Sequence, residues 1–307
     1  MHPTTRSGMH LMQSMNITKI IVPAAGLGTR LLPLTKALPK EMMPLLDKPA
    51  LQYILQEGFD SGISSFCIVM NDDKKHIVER YFSKNAQLDA LLAQKGQQQL
   101  THDLYALFDS VALSFVPQPK PLGLGHAVLM GSHCINPDEY FGVMLPDDII
   151  DSAIPGMQQL ITLAQRYNAS VVAVETVSPQ AVSSYGIITP KHQLADGVIE
   201  IANLVEKPKP ENAPSHLGII GRYILPYRIF DAIEQITPYA QGEIQLTDAI
   251  SYLLQRGERV IACIMQGTRY DIGSIPGLLH ATLSLGLKKE PYHSLIKSSC
   301  TQNIIAK

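Results

Sequence analysis

The chain predicts an α/β fold built on a mostly parallel, doubly wound sheet. Short apolar runs rich in Val and Ile recur along it, helix-period segments lie between them, and loops of Gly, Pro and charged residues follow the runs directly. In sheets of this class ligands collect where strands end in loops on their carboxyl side. Chemistry is therefore sought immediately after each strand.

The strand expectations, in order, are Ile17–Val22, Ser65–Met70, Ala112–Val116, Phe141–Leu145, Ser170–Thr176, Leu217–Ile224 and Arg259–Met265. Their apolar character shows little polar alternation, as expected of strands covered on both faces. Between them, Leu51, Ile54 and Leu55 form one helix face that Gly58 can end. Met157, Leu160, Ile161 and Ala164 follow the i, i+3, i+4, i+7 spacing of another, and Ile244–Leu254 is a third, with Thr247-Asp248 just inside it. The polar, Gln- and Ala-rich stretch Lys84–His102 reads as exposed helix or loop. Residues 1–16 read as a flexible leader, 17–290 as a single domain with a subdomain, and 291–307 as a weakly ordered tail.

With 307 residues, 46% hydrophobic and 17% charged, the chain can bury a large core. A net charge of −2 argues against a general nucleic-acid binder, so an anionic ligand must be held by a few local charges. The four cysteines, Cys67, Cys134, Cys263 and Cys300, are widely spaced and form no C-x-x-C pair, which fits a reducing cytoplasm. No apolar run reaches the roughly 18 residues of a membrane span, and no membrane partner is expected.

The first strand breaks into Pro23-Ala-Ala-Gly-Leu-Gly-Thr-Arg30, followed by Pro39-Lys-Glu-Met-Met-Pro44. Gly26 and Gly28 allow backbone N–H groups to approach a polyphosphate, and Arg30 and Lys40 can supply the positive charge. The dinucleotide fingerprint fails because Leu31 occupies the place of its third glycine, and no Gly-Lys-Ser/Thr closes a Walker loop. A plain tight turn is the alternative. The density of prolines around Lys40 and in Asp47-Lys-Pro49 favours a fixed path instead.

A second loop, Gln118-Pro-Lys-Pro-Leu-Gly-Leu-Gly-His-Ala127, pairs an amide able to meet a base edge such as uracil with the close-approach glycines Gly123 and Gly125. Its alternative is an ordinary turn opening a helix, with His126 structural. Leu145-Pro-Asp-Asp-Ile149 places two carboxylates at a strand's end. Asp147 is the better Mg²⁺ ligand and Asp148 the better support, against the alternative of a helix cap. Asp271, in Arg269-Tyr-Asp-Ile-Gly273, is a candidate second carboxylate on the same metal. Tyr185-Gly186 and Val205-Glu-Lys-Pro208 offer backbone against which a sugar ring can pack, a carboxylate for sugar hydroxyls in Glu206 and a phosphate partner in Lys207. On its own, Glu206-Lys207 reads as a surface pair of little worth.

Taken together these segments resemble the sugar-1-phosphate nucleotidylyltransferases, and most closely their UTP–glucose-1-phosphate uridylyltransferase branch. AAGLGTRLLP, LPKEMMP, DKPALQY, PLGLGHAV, LPDD, LVEKPKPENAPSHLGIIGRY, GEIQLTDAI and RYDIG carry the resemblance, from about Ile17 to about Leu287. It implies a Rossmann-like, glycosyltransferase-A-type nucleotidyltransferase fold, with a mixed, mostly parallel sheet flanked by helices. It implies that Ala25, Gly26, Gln118 and Gly123 meet uracil, with Gly28 and Thr29 also binding nucleotide. It further implies that Arg30 and Lys40 face the triphosphate and act in catalysis, that Asp147 and Asp271 hold Mg²⁺, and that Gly186, Glu206 and Lys207 take the sugar phosphate. UTP and glucose 1-phosphate are the implied substrates, and a homodimer or homotetramer the implied assembly. Ile272 stands where a cysteine is common in the pattern, away from any ligand position. A thymidylyltransferase on the same sugar phosphate, or a catalytically silent regulatory homologue, stays open at this stage, although intact Gly28-Thr29-Arg30 favours an active enzyme.

Overall fold

The computed structural model describes residues 15–236 and 242–305. Its strands are β1 (Lys19–Pro23), β2 (Pro44–Leu45), β3 (Lys48–Pro49), β4 (Ser65–Met70), β5 (Ala112–Pro117), β6 (Tyr140–Met144), β7 (Asp148–Asp151), β8 (Ser170–Thr176), β9 (Gly186–Ala195), β10 (Val198–Glu206), β11 (Leu217–Pro226), β12 (Val260–Ile264) and β13 (Thr268–Asp271). Its helices are α1 (Ala50–Asp60), α2 (Asp72–Tyr81), α3 (Ala86–Gln94), α4 (Gln99–Ser110), α5 (Leu124–Met130), α6 (Gly156–Tyr167), α7 (Ile229–Gln235), α8 (Leu246–Gln255), α9 (Ile275–Gly286) and α10 (Tyr292–Ile305).

Nine strands form one sheet in the order β5-β4-β1-β6-β11-β8-β12-β10-β9. The β5-β4-β1-β6 half is parallel throughout, and β8 and β12 are parallel to one another. The strand expected at Leu217–Ile224 is present as β11, but it runs antiparallel to both β6 and β8. Buried on both faces, it shows no alternation from which its direction could be read.

Period-two alternation along β1 sends Ile20 and Val22 into one core and Ile21 into another. The first core takes the apolar faces of α1 and α6, including Leu51, Ile54, Leu55, Met157, Leu160 and Ile161. The second takes α5, α7 and α8. The β9–β10 hairpin stands at the sheet's far edge with a small cluster of its own, Val177, Val182 and Ile187.

One of the expectations for the polar stretches changes, one resolves to a stated alternative and one lies largely outside the described residues. The tail expected to be weakly ordered from Pro291 forms α10 over Tyr292–Ile305, with the Ile296 side chain against Gly286 of α9. Its apolar residues follow no helical stripe, so periodicity could not reveal it. The Lys84–His102 stretch is helical in α3 and the first part of α4. Most of the leader expected at residues 1–16 lies outside the described residues. No described helix is long and apolar enough to cross a membrane.

Candidate active site

The carboxyl ends of β1, β5 and β6 open onto one side of the sheet. The β1 loop is anchored where the Ala24 N–H donates to Val69 O at 2.7 Å and Asn71 Nδ2 donates to Ala25 O at 2.9 Å. Thr35 Oγ1 closes it by donating to Gly28 O at 2.8 Å. This loop, the β5 loop and Asp147 surround a recess of about 400 Å³, lined among others by Ala25, Gly26, Gly28, Thr29, Gln118 and Gly123. The six residues expected to bind nucleotide therefore share one cavity.

Gln118 is buried, and both its amide hydrogens have partners in the protein. Nε2 lies 2.8 Å from His126 Nδ1 and donates to Gly123 O at 3.3 Å. That leaves Oε1 as the available group, an acceptor. Burial lowers the His126 pKa, keeping Nδ1 an acceptor for the amide. Gly123 has φ +94°, and a Cβ there would come within 2.7 Å of the Ile244 carbonyl oxygen, so only glycine fits this turn. The Gly125 N–H donates to the same oxygen at 2.8 Å, locking the loop to the segment before α8.

A second recess of about 540 Å³ adjoins the first. Gly186, Glu206, Lys207, Thr247, Arg30 and Asp271 lie on it. Gly186 begins β9 opposite Glu206 at the end of β10, and a Cβ on Gly186 would lie 2.6 Å from Thr247 Oγ1. The three residues expected to hold sugar phosphate are thus assembled by one hairpin. Lys207 Nζ lies 3.3 Å from Glu206 Oε1. Arg30, expected with Lys40 at the triphosphate, borders this second recess and not the first.

Lys40, Gly123, Leu124, Leu145, Asp147 and Glu243 line both recesses, making a common wall. At its centre Lys40 Nζ donates to Asp147 Oδ2 at 2.6 Å. Burial works against the charge on Lys40, but Asp147 and Glu41 outweigh it and hold the ammonium above its ordinary range. Burial likewise raises Asp147, and Lys40 overrides it, leaving the carboxyl below its usual value.

Asp271 joins this wall through pairing of β13 with β7, where Asp271 sits opposite Asp148. The Ile272 N–H donates to Asp147 O at 2.9 Å. A Cβ at Gly273 would lie 3.0 Å from Asp271 Oδ1, 3.0 Å from Arg30 Nη2 and 3.4 Å from Asp147 Oδ2, so the three side chains converge on one backbone position. Among the described residues no group of three or more His, Cys, Asp or Glu is arranged for a metal. Two converging carboxylates where the two recesses meet instead fit a hard divalent cation that takes its remaining ligands from water and substrate. Asp148 borders the second recess but is buried, with both carboxylate oxygens engaged by the protein. It accepts from the Gly221 N–H at 2.8 Å and from Arg269 Nε at 2.8 Å, as expected for a supporting carboxylate. Burial pushes its pKa up against the pull of Arg269.

Three contributors escaped the sequence reading. Glu243, just before α8, lines both recesses and Thr247, in its first turn, lines the second; both lie in the GEIQLTDAI run, to which no site role was given. Glu41 is 2% exposed with Oε1 unpartnered, 3.9 Å from Lys40 Nζ, and burial raises its pKa to about 7. Its place in the Pro39–Pro44 run was the only signal.

Residues 19–286 match the nucleotidyl transferase family model. The chain is 42% identical over 278 residues to the UTP–glucose-1-phosphate uridylyltransferase YngB of Bacillus subtilis strain 168, covering 91% of this chain and 92% of that one. It is 43% identical over 279 residues to the UTP–glucose-1-phosphate uridylyltransferase of Streptococcus pneumoniae, covering 89% and 91%. Among solved structures it resembles a UDP-glucose pyrophosphorylase complexed with UDP-glucose (TM-score 0.81, 38% identity, 89% of this chain and 100% of that chain). It also resembles the UTP-bound enzyme from Acinetobacter baumannii (TM-score 0.84, 36% identity, 93% and 99%). A putative glucose-1-phosphate thymidylyltransferase from Bacillus anthracis shares the fold at 20% identity and TM-score 0.66. With family model, relatives, fold and recesses in agreement, the chain belongs to the nucleotidyl transferase family.

Proposed function

We propose that this enzyme transfers the uridylyl group of UTP to glucose 1-phosphate, giving UDP-glucose and pyrophosphate. The observation that carries the reading is the common wall. A nucleotide recess and a sugar-sized recess meet at Lys40 and Asp147, where two phosphates would be brought face to face.

In this reading uracil enters beside Gln118, whose free Oε1 accepts the N3–H of the base; Ala25, Gly26 and Gly123 bound the same space, and Gly28 and Thr29 lie along the nucleotide. A cytosine presents an acceptor at N3 and would leave Oε1 unpaired, which a buried amide tolerates poorly. The β9–β10 hairpin serves as the sugar-binding subdomain. Gly186 gives the ring room, Glu206 accepts from its hydroxyls and Lys207 pairs with its phosphate.

A phosphate oxygen of glucose 1-phosphate attacks the α-phosphorus of UTP. A new P–O bond forms there as the bond to the bridging oxygen breaks, and pyrophosphate leaves with the electron pair. The attacking oxygen is already ionised near neutral pH, so no general base is required. Catalysis rests on alignment and on charge stabilisation, with Lys40 released from Asp147 to donate to phosphate oxygens and Arg30 adding charge from the sugar side. Asp147 and Asp271 would hold Mg²⁺, which when bound supplies screening for the triphosphate.

A coupled pyrophosphate-release assay tests the reading. With UTP, Mg²⁺ and glucose 1-phosphate, turnover is expected, and no release with any nucleotide would identify a silent binder. Uracil and thymine differ by a methyl, which a pocket discriminates by about 1–3 kcal/mol. A kcat/KM higher for dTTP than for UTP would therefore reassign the chain as a thymidylyltransferase. A cytoplasmic placement and a homodimer or homotetramer belong to the same reading, and light scattering on the purified chain counts the subunits.

A further inference from the structure

Beneath the Leu145–Asp148 turn lies a guanidinium with no solvent exposure, that of Arg222 on β11. Nε and Nη2 grip Glu57 of α1 at 2.9 and 2.7 Å, a bidentate pair. The remaining bonds end on backbone carbonyls. Nη1 donates to Gly221 O at 2.9 Å and to Leu145 O at 3.3 Å, and Nη2 donates to Asp148 O at 2.8 Å. Leu145 and Asp148 bracket Pro146-Asp147, so one side chain holds the turn on both sides of Asp147. The carbonyl of Asp147 itself is held from the other direction by the Ile272 N–H, next to Asp271.

Stability alone is a poor explanation of this arrangement. A buried ion pair can often be exchanged for apolar residues without loss of stability, because desolvation offsets the Coulombic gain. What apolar residues cannot supply is a planar fork that bridges two carbonyls across a turn. Glu57 in turn is fixed by accepting the Met157 N–H at 2.9 Å, which ties the fork to the start of α6.

We propose that Arg222, oriented by Glu57, is a positioning residue that sets the Asp147 carboxylate at the distance and direction from Asp271 that a divalent cation requires. The proposal rests on the metal-site reading above, and Arg222 touches neither substrate nor metal. Replacing residues that orient metal ligands commonly costs ten- to a hundredfold in metal affinity, which is the scale expected here.

The test uses the full chain and two variants. The double variant Arg222→Met with Glu57→Gln removes both buried charges while keeping an acceptor for the Met157 N–H. Arg222→Lys keeps a cation facing Glu57 but has no fork. Mn²⁺ binding in the presence of UTP, without sugar phosphate, is followed by water-proton relaxation, with folding checked by thermal melting. The Mg²⁺ concentration for half-maximal turnover is measured in parallel with the KM for glucose 1-phosphate. Mn²⁺ affinity is expected to fall about tenfold or more in both variants. Half-maximal Mg²⁺ is expected to rise correspondingly, with the KM for glucose 1-phosphate within twofold of the unaltered chain. Should the double variant not fold, Arg222→Lys decides alone. A folded variant that binds Mn²⁺ within twofold of the unaltered chain overturns the proposal and leaves the metal site standing. If Asp147→Asn, run beside them, also leaves Mn²⁺ binding unchanged, the metal-site reading falls and takes the proposal with it.

Discussion

Lys40 stands between two carboxylates with opposite tendencies. Asp147 is held ionised by the ammonium at 2.6 Å, whereas Glu41, more deeply buried and 3.9 Å away, titrates near 7. Burial is the larger cause for Glu41, opposed by Lys40 and Lys74 and reinforced by Asp147. Between its ordinary value of 4.5 and about 7, the folded chain keeps a proton that the unfolded chain has released. Stability therefore declines as pH rises through that window, by up to about 3 kcal/mol. Glu41→Gln is expected to flatten this slope, raising the melting temperature more at pH 8 than at pH 5. Equal shifts at the two pH values would show that Glu41 does not titrate as described. For turnover, Lys40→Ala and Arg30→Ala are each expected to lower kcat about a hundredfold or more with the fold intact. Asp147→Asn is expected to raise the Mg²⁺ requirement sharply. Near-normal kcat, or an unchanged metal titration, would remove the residue concerned from the site. The residues legible in the sequence were charged groups in segments that follow an apolar strand run, such as Lys40, Asp147 and Asp271. Thr247 was hidden because it belongs to the opening of an apolar helix, where only the buried face produces a pattern, and Glu243 because it lies in the irregular segment just before that helix.

At the level of elements, the hairpin β9–β10 carries the sugar-side prediction. Gly186→Ala would push a methyl into Thr247 Oγ1 at 2.6 Å and Glu206 Oε2 at 3.2 Å. The KM for glucose 1-phosphate is expected to rise about tenfold or more while that for UTP holds, because no residue expected at the base lies on the hairpin. Initial-rate kinetics with each substrate varied in turn would check this, and an equal rise in both KM values would contradict it. This hairpin was not legible in the sequence. β9 is buried only at Gly186–Ile188 and β10 at Val198, Ile201 and Leu204, with register shifts between Val198 and Asn203, so neither an apolar run nor a clean alternation marks them. Ser65–Met70 and Ser170–Thr176, buried over most of their length, coincide with their expected bounds. β7 and β13, only four residues each, escaped notice although their pairing is what brings Asp271 to Asp147.

At the level of the whole molecule, two cores cover opposite faces of one sheet, and each runs from β1 to β10, so both recesses stand on a single continuous framework. The nucleotide recess is built by β1 and β5 loops, and the sugar recess by the β9–β10 hairpin and the start of α8. Ligands that bind only the folded chain stabilise it by an amount set by the logarithm of their concentration over Kd, about 2.7 kcal/mol at a hundredfold excess. UTP with Mg²⁺ is expected to raise the melting temperature, and UDP-glucose to raise it more than UDP does at equal concentration, because contacts in the second recess would lower its Kd. Differential scanning calorimetry across a ligand series would measure both, and a UDP-glucose effect no larger than that of UDP would indicate that the second recess contributes nothing. The sheet's parallel half was readable from its apolar runs. The reversal at β11 was not, because strand direction depends on which neighbour a strand meets in space.

The bond between Lys40 and Asp147 also sets a threshold for binding. With its amine engaged by the carboxylate, Lys40 offers little net charge to a passing anion. A stray phosphate must first break a short, mostly dehydrated contact, with nothing but its own charge to offset the loss. A nucleotide arrives with a base and a ribose to bind elsewhere in the recess, so it can displace the aspartate where a bare anion cannot. Discrimination against abundant small phosphates would then come from the contact that has to be given up, in addition to any contact that is gained.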